Sequence, residues 1–78
     1  MGIQTIPLPY KHTLKQFGQN LQRLRKEKEI SQEKLAEKVG VHRTYLSLVE
    51  QGQRNPSLKF VYRVTKALNT NSSKLLSF

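Results

Sequence analysis

Apolar residues recur at steps of three and four along most of the chain, the spacing that places them on one side of an α-helix. The longest run follows Thr13, a residue type suited to cap a helix N-terminus. Its apolar positions are Leu14, Phe17, Leu21 and Leu24. Gly18 costs such a helix about 1 kcal/mol relative to alanine, which indicates that a neighbouring element packs closely there. We therefore predict an amphipathic first helix, capped by Thr13, with one buried stripe.

The segment before this run has a different character. Pro7 and Pro9 in the stretch IPLPY lack amide donors and push their preceding residues toward extended conformations. Residues 1–12 are therefore expected to form a flexible arm rather than a helix, and residues 13–78 to form the folded domain.

A second, shorter helix is predicted in the stretch SQEKLAEKVG. Ser31 is a suitable N-cap, and Gly40 can adopt the left-handed conformation that ends a helix. The apolar positions between them are Leu35, Ala36 and Val39. Their spacing predicts a helix of about eight residues that buries one face.

A third helix should begin near His42 or Arg43 and stop before Gly52. Helical spacing turns Leu46 and Val49 toward the core. The same spacing places three side chains capable of hydrogen bonding on one exposed face. These are Arg43, Thr44 and Ser47.

Two further helices complete the pattern. Asn55 can cap the fourth helix and Pro56 suits its first position. Its predicted apolar stripe is Leu58, Val61, Val64 and Leu68. A last short helix from about Ser72 ends the chain, and no run of residues has a strand pattern. The prediction is an all-α domain of five helices with short connections.

The charge of the chain narrows the choice of partner. Its 78 residues fit one domain, and 14 lysines and arginines against five acidic residues give a formal net charge of +9. Such an excess favours a polyanionic partner. Nucleic acid is the first candidate and an anionic membrane surface the second.

Other kinds of chemistry have little support in the sequence. The chain has no cysteine and no aspartate, and His12 and His42 lie thirty residues apart, so neither a metal site nor an acyl-transfer triad is expected. No apolar run approaches the ~18 residues that cross a bilayer, and the N-terminus lacks a secretory pattern. We expect a cytoplasmic protein that is not an enzyme and uses no metal, cofactor or small-molecule ligand.

The second and third helices, joined through Gly40, form a helix-turn-helix pattern, whose second helix can enter the DNA major groove. Arg43 can make a bidentate contact to guanine. Thr44 and Ser47 can bond base edges or touch a thymine methyl group. The polar face of the third helix is therefore interpreted as a base-reading face.

The stretch SQEKLAEKVGVHRTYLSLVEQGQRNPSL resembles the Cro-repressor or Xre family of bacterial and phage regulators, over roughly residues 13–70. Within that family, HRTYLS and RNPSL are most similar to the controller proteins of restriction-modification systems. The resemblance implies a five-helix, lambda-repressor-like DNA-binding domain. It also implies a homodimer that regulates its own operon.

The resemblance assigns roles to individual residues. Arg43, Thr44 and Ser47 would face bases. A larger set would contact the DNA backbone: Gln32, His42, Tyr45, Gln53, Arg54, Asn55 and Lys59. Arg25 and Glu50 would form a buried structural ion pair. Several of these roles have alternatives. The hydroxyls of Thr44 and Ser47 could instead cap a helix or bond their own backbone, and Gln32 could simply complete the first turn of its helix. His42 stands where many family members have glutamine and could act as a cap alone, and Tyr45 could pack against the core. Leu48 is predicted to face outward.

A single helix-turn-helix reads few base pairs, so a homodimer on an inverted-repeat operator is expected. Its interface would come from the end of the chain: Leu68, Leu75, Leu76 and Phe78, with Phe60 beside them. The alternative is that these residues close the core of the monomer. We predict a sequence-specific, dimeric transcriptional regulator that binds a double-stranded DNA operator. The alternative is a helix-turn-helix module that binds a protein, of the antitoxin or coactivator type.

Overall fold

The computed structural model describes residues 10–77, which form five α-helices joined by short turns. The helices are α1 (Tyr10–Glu27), α2 (Gln32–Val39), α3 (Arg43–Glu50), α4 (Leu58–Ala67) and α5 (Ser72–Leu75). Within these residues there is no strand. The all-α architecture predicted from the apolar spacing is confirmed.

Each helix contributes to a single hydrophobic core. The buried apolar side chains are Phe17, Leu21, Leu24, Leu35, Ala36, Val39, Leu46, Val49, Phe60, Val64, Leu68 and Leu75. Helix α1 packs against α3 and α5, and helix α2 packs against α3 and α4. Helix α3 is therefore held between α1 and α2, which leaves its remaining side exposed.

Both ends of α2 have the capping residues that the sequence predicted. The Ser31 hydroxyl accepts a 3.0 Å hydrogen bond from the Lys34 amide. Gly40 has φ 82°, and its amide donates to the Ala36 carbonyl at 2.8 Å. Residues other than glycine rarely adopt this backbone conformation. Gly40 therefore lets α2 end and the chain turn directly into α3.

Helix α1 begins earlier than the sequence predicted. Its first residue is Tyr10, so Thr13 is not the N-cap, and residues 10–12 are helical rather than part of an arm. The Tyr10 hydroxyl donates to Asn55 Oδ1 at 2.6 Å, a tertiary contact that supports this extra turn. The prediction of an arm for residues 1–9 lies outside the described residues.

Helix α4 begins later than predicted, because Ser57 and not Asn55 is its N-cap. The Ser57 hydroxyl accepts from the Phe60 amide at 3.0 Å, so Pro56 lies before the helix. Leu58 is consequently the first residue of α4 and is 85% exposed, contrary to its predicted place in the buried stripe. Val64 is buried as predicted, and Phe60, which was not in the predicted stripe, is buried with it.

Close approach of α1 and α3 depends on Gly18. A Cβ atom there would lie 2.5 Å from the Val49 carbonyl oxygen and closer still to that of Glu50. The sequence-based expectation of a close neighbour at Gly18 is therefore confirmed.

The end of the chain closes the core of the monomer. Leu68 and Leu75 are buried, which corrects their assignment to an exposed subunit interface. The amide of Asn20, itself buried, donates to the Leu75 carbonyl at 2.9 Å and to that of Ser77 at 3.1 Å, so α5 is fixed against α1. Phe60 is likewise buried. Leu76 remains 48% exposed, and Phe78 lies outside the described residues.

Candidate nucleic-acid interface

The exposed side of α3 carries the three residues predicted to read bases. Arg43 and Thr44 are exposed and Ser47 is half-buried, whereas Leu46 and Val49 on the other side are buried. Gln51 directly follows the helix, and its Nε2 donates to the Ser47 hydroxyl at 3.0 Å. Gln51 was missed by the sequence analysis, although its position four residues after Ser47 is a spacing that brings side chains together.

Arg25 and Glu50 form the predicted ion pair. Arg25 Nε lies 2.7 Å from Glu50 Oε2, and Nη2 lies 3.1 Å from Oε1, a two-pronged contact. The two side chains are only 9% and 2% exposed. Arg25 also donates to the Ile30 carbonyl at 3.0 Å. One guanidinium therefore joins α1, the turn that follows it and the end of α3.

Gln32 extends this ion pair. Its Nε2 donates to Glu50 Oε1 at 2.9 Å. Because one amide hydrogen is used in this way, the side chain is fixed at the first turn of α2, where free backbone amides and the helix dipole favour an anion. The second amide hydrogen and the carbonyl oxygen remain for an external contact. The link between Gln32 and Glu50 was not predicted from the sequence.

Tyr45 and His42 take different roles beside the reading face. The Tyr45 ring is half-buried and packs edge-on against Phe60, with ring centroids 5.5 Å apart and an interplanar angle of 80°. This geometry supports the packing interpretation of Tyr45. His42 occupies the N-cap position of α3, but its exposed side chain makes no capping hydrogen bond, so the interpretation as a side-chain cap is wrong.

The loop between α3 and α4 presents the other predicted backbone contacts. Gln53, Arg54 and Asn55 are all exposed, and Arg54 Nη1 donates to the Gln53 carbonyl at 3.0 Å. Lys59 is exposed in the first turn of α4 and lines a cleft of about 280 Å³ together with His42. These polar side chains flank the two ends of α3.

Basic side chains outnumber acidic ones around this surface, and Glu33 is the carboxylate that shares a cleft with Gln32 and Arg43. The exposed glutamates are Glu27, Glu29, Glu33 and Glu37. The fifth glutamate, Glu50, is buried and paired with Arg25. Residues 38–77 consequently expose seven basic side chains and no carboxylate. Such an excess of positive charge attracts a polyanion.

Residues 10–77 contain no group of three or more histidine, cysteine or acidic side chains placed to share a metal ion. In the same part of the chain, none of the helices has both the length and the apolar character that crossing a bilayer requires.

Sequence comparison identifies relatives over most of the chain. The model of the helix-turn-helix family HTH_3 matches residues 21–75. The control protein C.BamHI of Bacillus amyloliquefaciens is 44% identical over 63 residues, which cover 80% of this chain and 78% of the relative.

Solved structures share the fold at similar identity. The restriction-modification controller protein C.AhdI from Aeromonas hydrophila has a TM-score of 0.77 and 44% identity, over 80% of this chain and 94% of that one. SinR, a master regulator for biofilm formation solved in complex with DNA, has a TM-score of 0.74 and 40% identity, over 78% of this chain and 98% of that one. This chain therefore belongs to the Xre-type helix-turn-helix family, HTH_3.

Proposed function

We propose that this chain is a sequence-specific DNA-binding transcriptional regulator that reads bases with α3. The observation that carries the proposal is the division of α3 into two sides. Arg43 and Thr44 are exposed, while Leu46 and Val49 hold the helix to the core. A rigidly held helix of this size fits the major groove, which is about 12 Å wide.

Contacts to the DNA backbone would set the position of α3. The side chain of Gln32 and the loop at residues 53–55 lie toward the C-terminal end of α3, and Lys59 adds a cation near its N-cap, His42. Phosphate contacts of this kind position a protein without reading sequence. The buried pair of Arg25 and Glu50 maintains the spacing between these contacts, because it fixes α1, α2 and α3 together.

The proposal extends to a homodimer on an inverted repeat. Two copies related by a two-fold axis would place their α3 helices about 34 Å apart, in successive turns of the major groove. Within residues 72–77 the exposed apolar residue is Leu76, which is our candidate for the centre of the interface. Phe78, also predicted to belong to the interface, lies outside the described residues.

The relatives support a narrower biological role. C.BamHI is a control protein and C.AhdI is a restriction-modification controller protein, and we propose that this chain is likewise the autoregulatory controller of a restriction-modification operon. The protein acts in the cytoplasm, where its operator lies. The proposed role is regulatory and not enzymatic, and it requires no metal, cofactor or small-molecule ligand.

The proposal is tested directly by incubating the purified full chain with a random duplex pool and selecting the sequences that it binds. We expect an inverted repeat to be enriched. Binding to the selected duplex should weaken steeply with salt, because each phosphate contact contributes a slope of about −0.9 in log K against log salt. Enrichment of no sequence would overturn specific recognition. An affinity independent of salt would overturn the backbone contacts and favour the protein-interaction alternative.

A further inference from the structure

A groove of about 630 Å³ runs between the C-terminal end of α2 and the exposed side of α4. Ala67 contributes partly exposed apolar surface to it, the buried Val39 lies beneath, and the ring of Tyr62 forms one wall. Tyr62 is 61% exposed, a high value for an aromatic side chain of this size. The residues proposed above for base reading lie on α3 and do not line this groove.

Three cations surround the apolar surface of the groove: Lys38, Arg63 and Lys66. None of them forms a salt bridge with a carboxylate in the part of the chain that the structure describes. Arg63 makes one long hydrogen bond, 3.4 Å from Nη1 to the Val39 carbonyl. Lys66 Nζ lies 5.4 Å from the centre of the Tyr62 ring. The groove therefore has positive charge that no neighbouring carboxylate compensates.

These side chains contribute little to the fold. Tyr62, Arg63 and Lys66 are all exposed, and the core of α4 is supplied by other residues of that helix. Tyrosine and arginine are, however, enriched in protein interfaces, where a large ring and a planar cation offer contact area and directed hydrogen bonds. The combination of an apolar floor, an exposed ring and unpaired cations is typical of a binding surface.

We propose that this groove docks an acidic, amphipathic segment of a partner protein. Apolar side chains of the segment would pack on Tyr62 and Ala67. Its carboxylates would pair with the three surrounding cations. An amphipathic helix in an apolar groove is a common mode of peptide recognition. DNA is the less favoured occupant, because the apolar floor offers nothing to a phosphate.

The probe is a fluorescein-labelled synthetic helical peptide with leucine at i, i+3, i+4 and i+7 positions and glutamate elsewhere. Its binding to the full chain is measured by fluorescence anisotropy at physiological salt. A peptide of the same composition in scrambled order controls for charge alone. The double variant Lys38→Gln/Lys66→Gln removes two groove cations. Lys26→Gln/Lys74→Gln removes two exposed cations elsewhere and has the same net charge.

We expect the groove variant to weaken peptide binding about tenfold, and the matched control by less than about twofold, since only the former loses paired cations. Tyr62→Ser leaves the charge unchanged. It should weaken peptide binding about fivefold or more, because the ring supplies packing area. Equal losses in the groove and control variants, or equal binding of the scrambled peptide, would overturn the proposal.

Binding of the same variants to a random-sequence duplex separates the two possible occupants. We expect the groove variant and the control variant to bind DNA equally. A loss of DNA affinity confined to Lys38→Gln/Lys66→Gln would make the groove part of the DNA surface and refute docking of a protein segment. Thermal unfolding of each variant verifies that the fold is unchanged.

Discussion

The hydroxyl of Tyr10 donates a 2.6 Å hydrogen bond to Oδ1 of Asn55, 45 residues further along the chain. This bond joins the first turn of α1 to the loop between α3 and α4. Asn55 is a proposed DNA backbone contact, so in that proposal the start of α1 would influence how the loop meets the duplex. The same Tyr10 and Asn55 line a small apolar cleft with Leu76, which connects this contact to the proposed subunit interface.

Tyr10→Phe should weaken DNA binding modestly without unfolding the protein. The variant removes one hydrogen bond, worth about 0.5–1.5 kcal/mol, and frees the Asn55 side chain. Affinity for a selected duplex is measured at fixed salt, with Tyr62→Phe as a matched control because Tyr62 is similarly exposed and lines the groove beside α2. Identical affinities for the two variants would show that Tyr10 does not position Asn55.

Arg25→Met should destabilise the domain strongly. It leaves the Glu50 carboxylate buried with Gln32 as its remaining side-chain partner, and the loss of one member of a buried pair typically costs about 3–5 kcal/mol. The free energy of unfolding is measured by urea denaturation. Arg23→Met is the control, since its pair with Glu27 is exposed and should contribute less than about 1 kcal/mol.

The double variant Arg25→Met/Glu50→Leu distinguishes charge burial from lost packing. It removes both charges, so much of the stability lost in the single variant should return. A double variant as unstable as Arg25→Met would mean that the cost arises from side-chain shape and not from the stranded carboxylate.

Gly18→Ala should destabilise the protein although alanine favours helices. The propensity gain is about 1 kcal/mol, whereas insertion of a methyl group against the Val49 and Glu50 carbonyls typically costs about 1–3 kcal/mol. A backbone obstacle cannot rotate away, so we expect a net loss in urea denaturation. Gln19→Ala, at the adjacent exposed position, should be neutral or stabilising. Higher stability of Gly18→Ala would contradict the close contact.

Arg43→Ala should reduce discrimination between a selected operator and random DNA by about 1–3 kcal/mol, the usual value of a bidentate contact to guanine. Lys74→Ala is the control for a lost positive charge, and it should weaken binding to both duplexes by a similar small factor. Competition gel-shift titration gives the ratio of the two affinities. An unchanged ratio in Arg43→Ala would remove Arg43 from the reading face.

Gln51→Ala tests the residue that sequence analysis missed. Loss of its amide releases the Ser47 hydroxyl, so we expect altered base preference opposite Ser47 rather than a uniform loss of affinity. Repeated selection from the random pool with this variant reveals the altered position. An identical selected site would show that Gln51 and Ser47 do not act together.

Leu76→Asp should weaken self-association while the monomer stays folded. Leu76 is half-exposed, so a carboxylate there remains solvated in the monomer but would be buried in the proposed interface. Sedimentation equilibrium should show the dimer dissociation constant raised about tenfold or more, because burial of a leucine contributes about 1.5–3 kcal/mol. Ser73→Asp, exposed on α5, is the control. Unchanged association would place the interface elsewhere.

Sequence alone determined the features of this fold that depend on residues close to one another along the chain. The stripe with Phe17 and Leu21 predicted α1, and Ser31 with Gly40 bounded α2, because helical spacing and end signals act over a few positions. The net positive charge also followed from the sequence, as did the polar face of α3. The pairing of Arg25 with Glu50 followed from resemblance to a family rather than from local spacing.

Tertiary contacts decided between alternatives that the local sequence signals did not distinguish. Asn55 and Ser57 are both good N-caps, and Asn55 is instead bonded to Tyr10, a contact that no local pattern encodes. Leu75 is buried and Leu76 exposed, because α5 is only four residues long and its orientation is fixed from α1 by Asn20. Short elements without their own periodicity take their orientation from distant residues, so only the assembled core could determine which apolar side chains remain exposed.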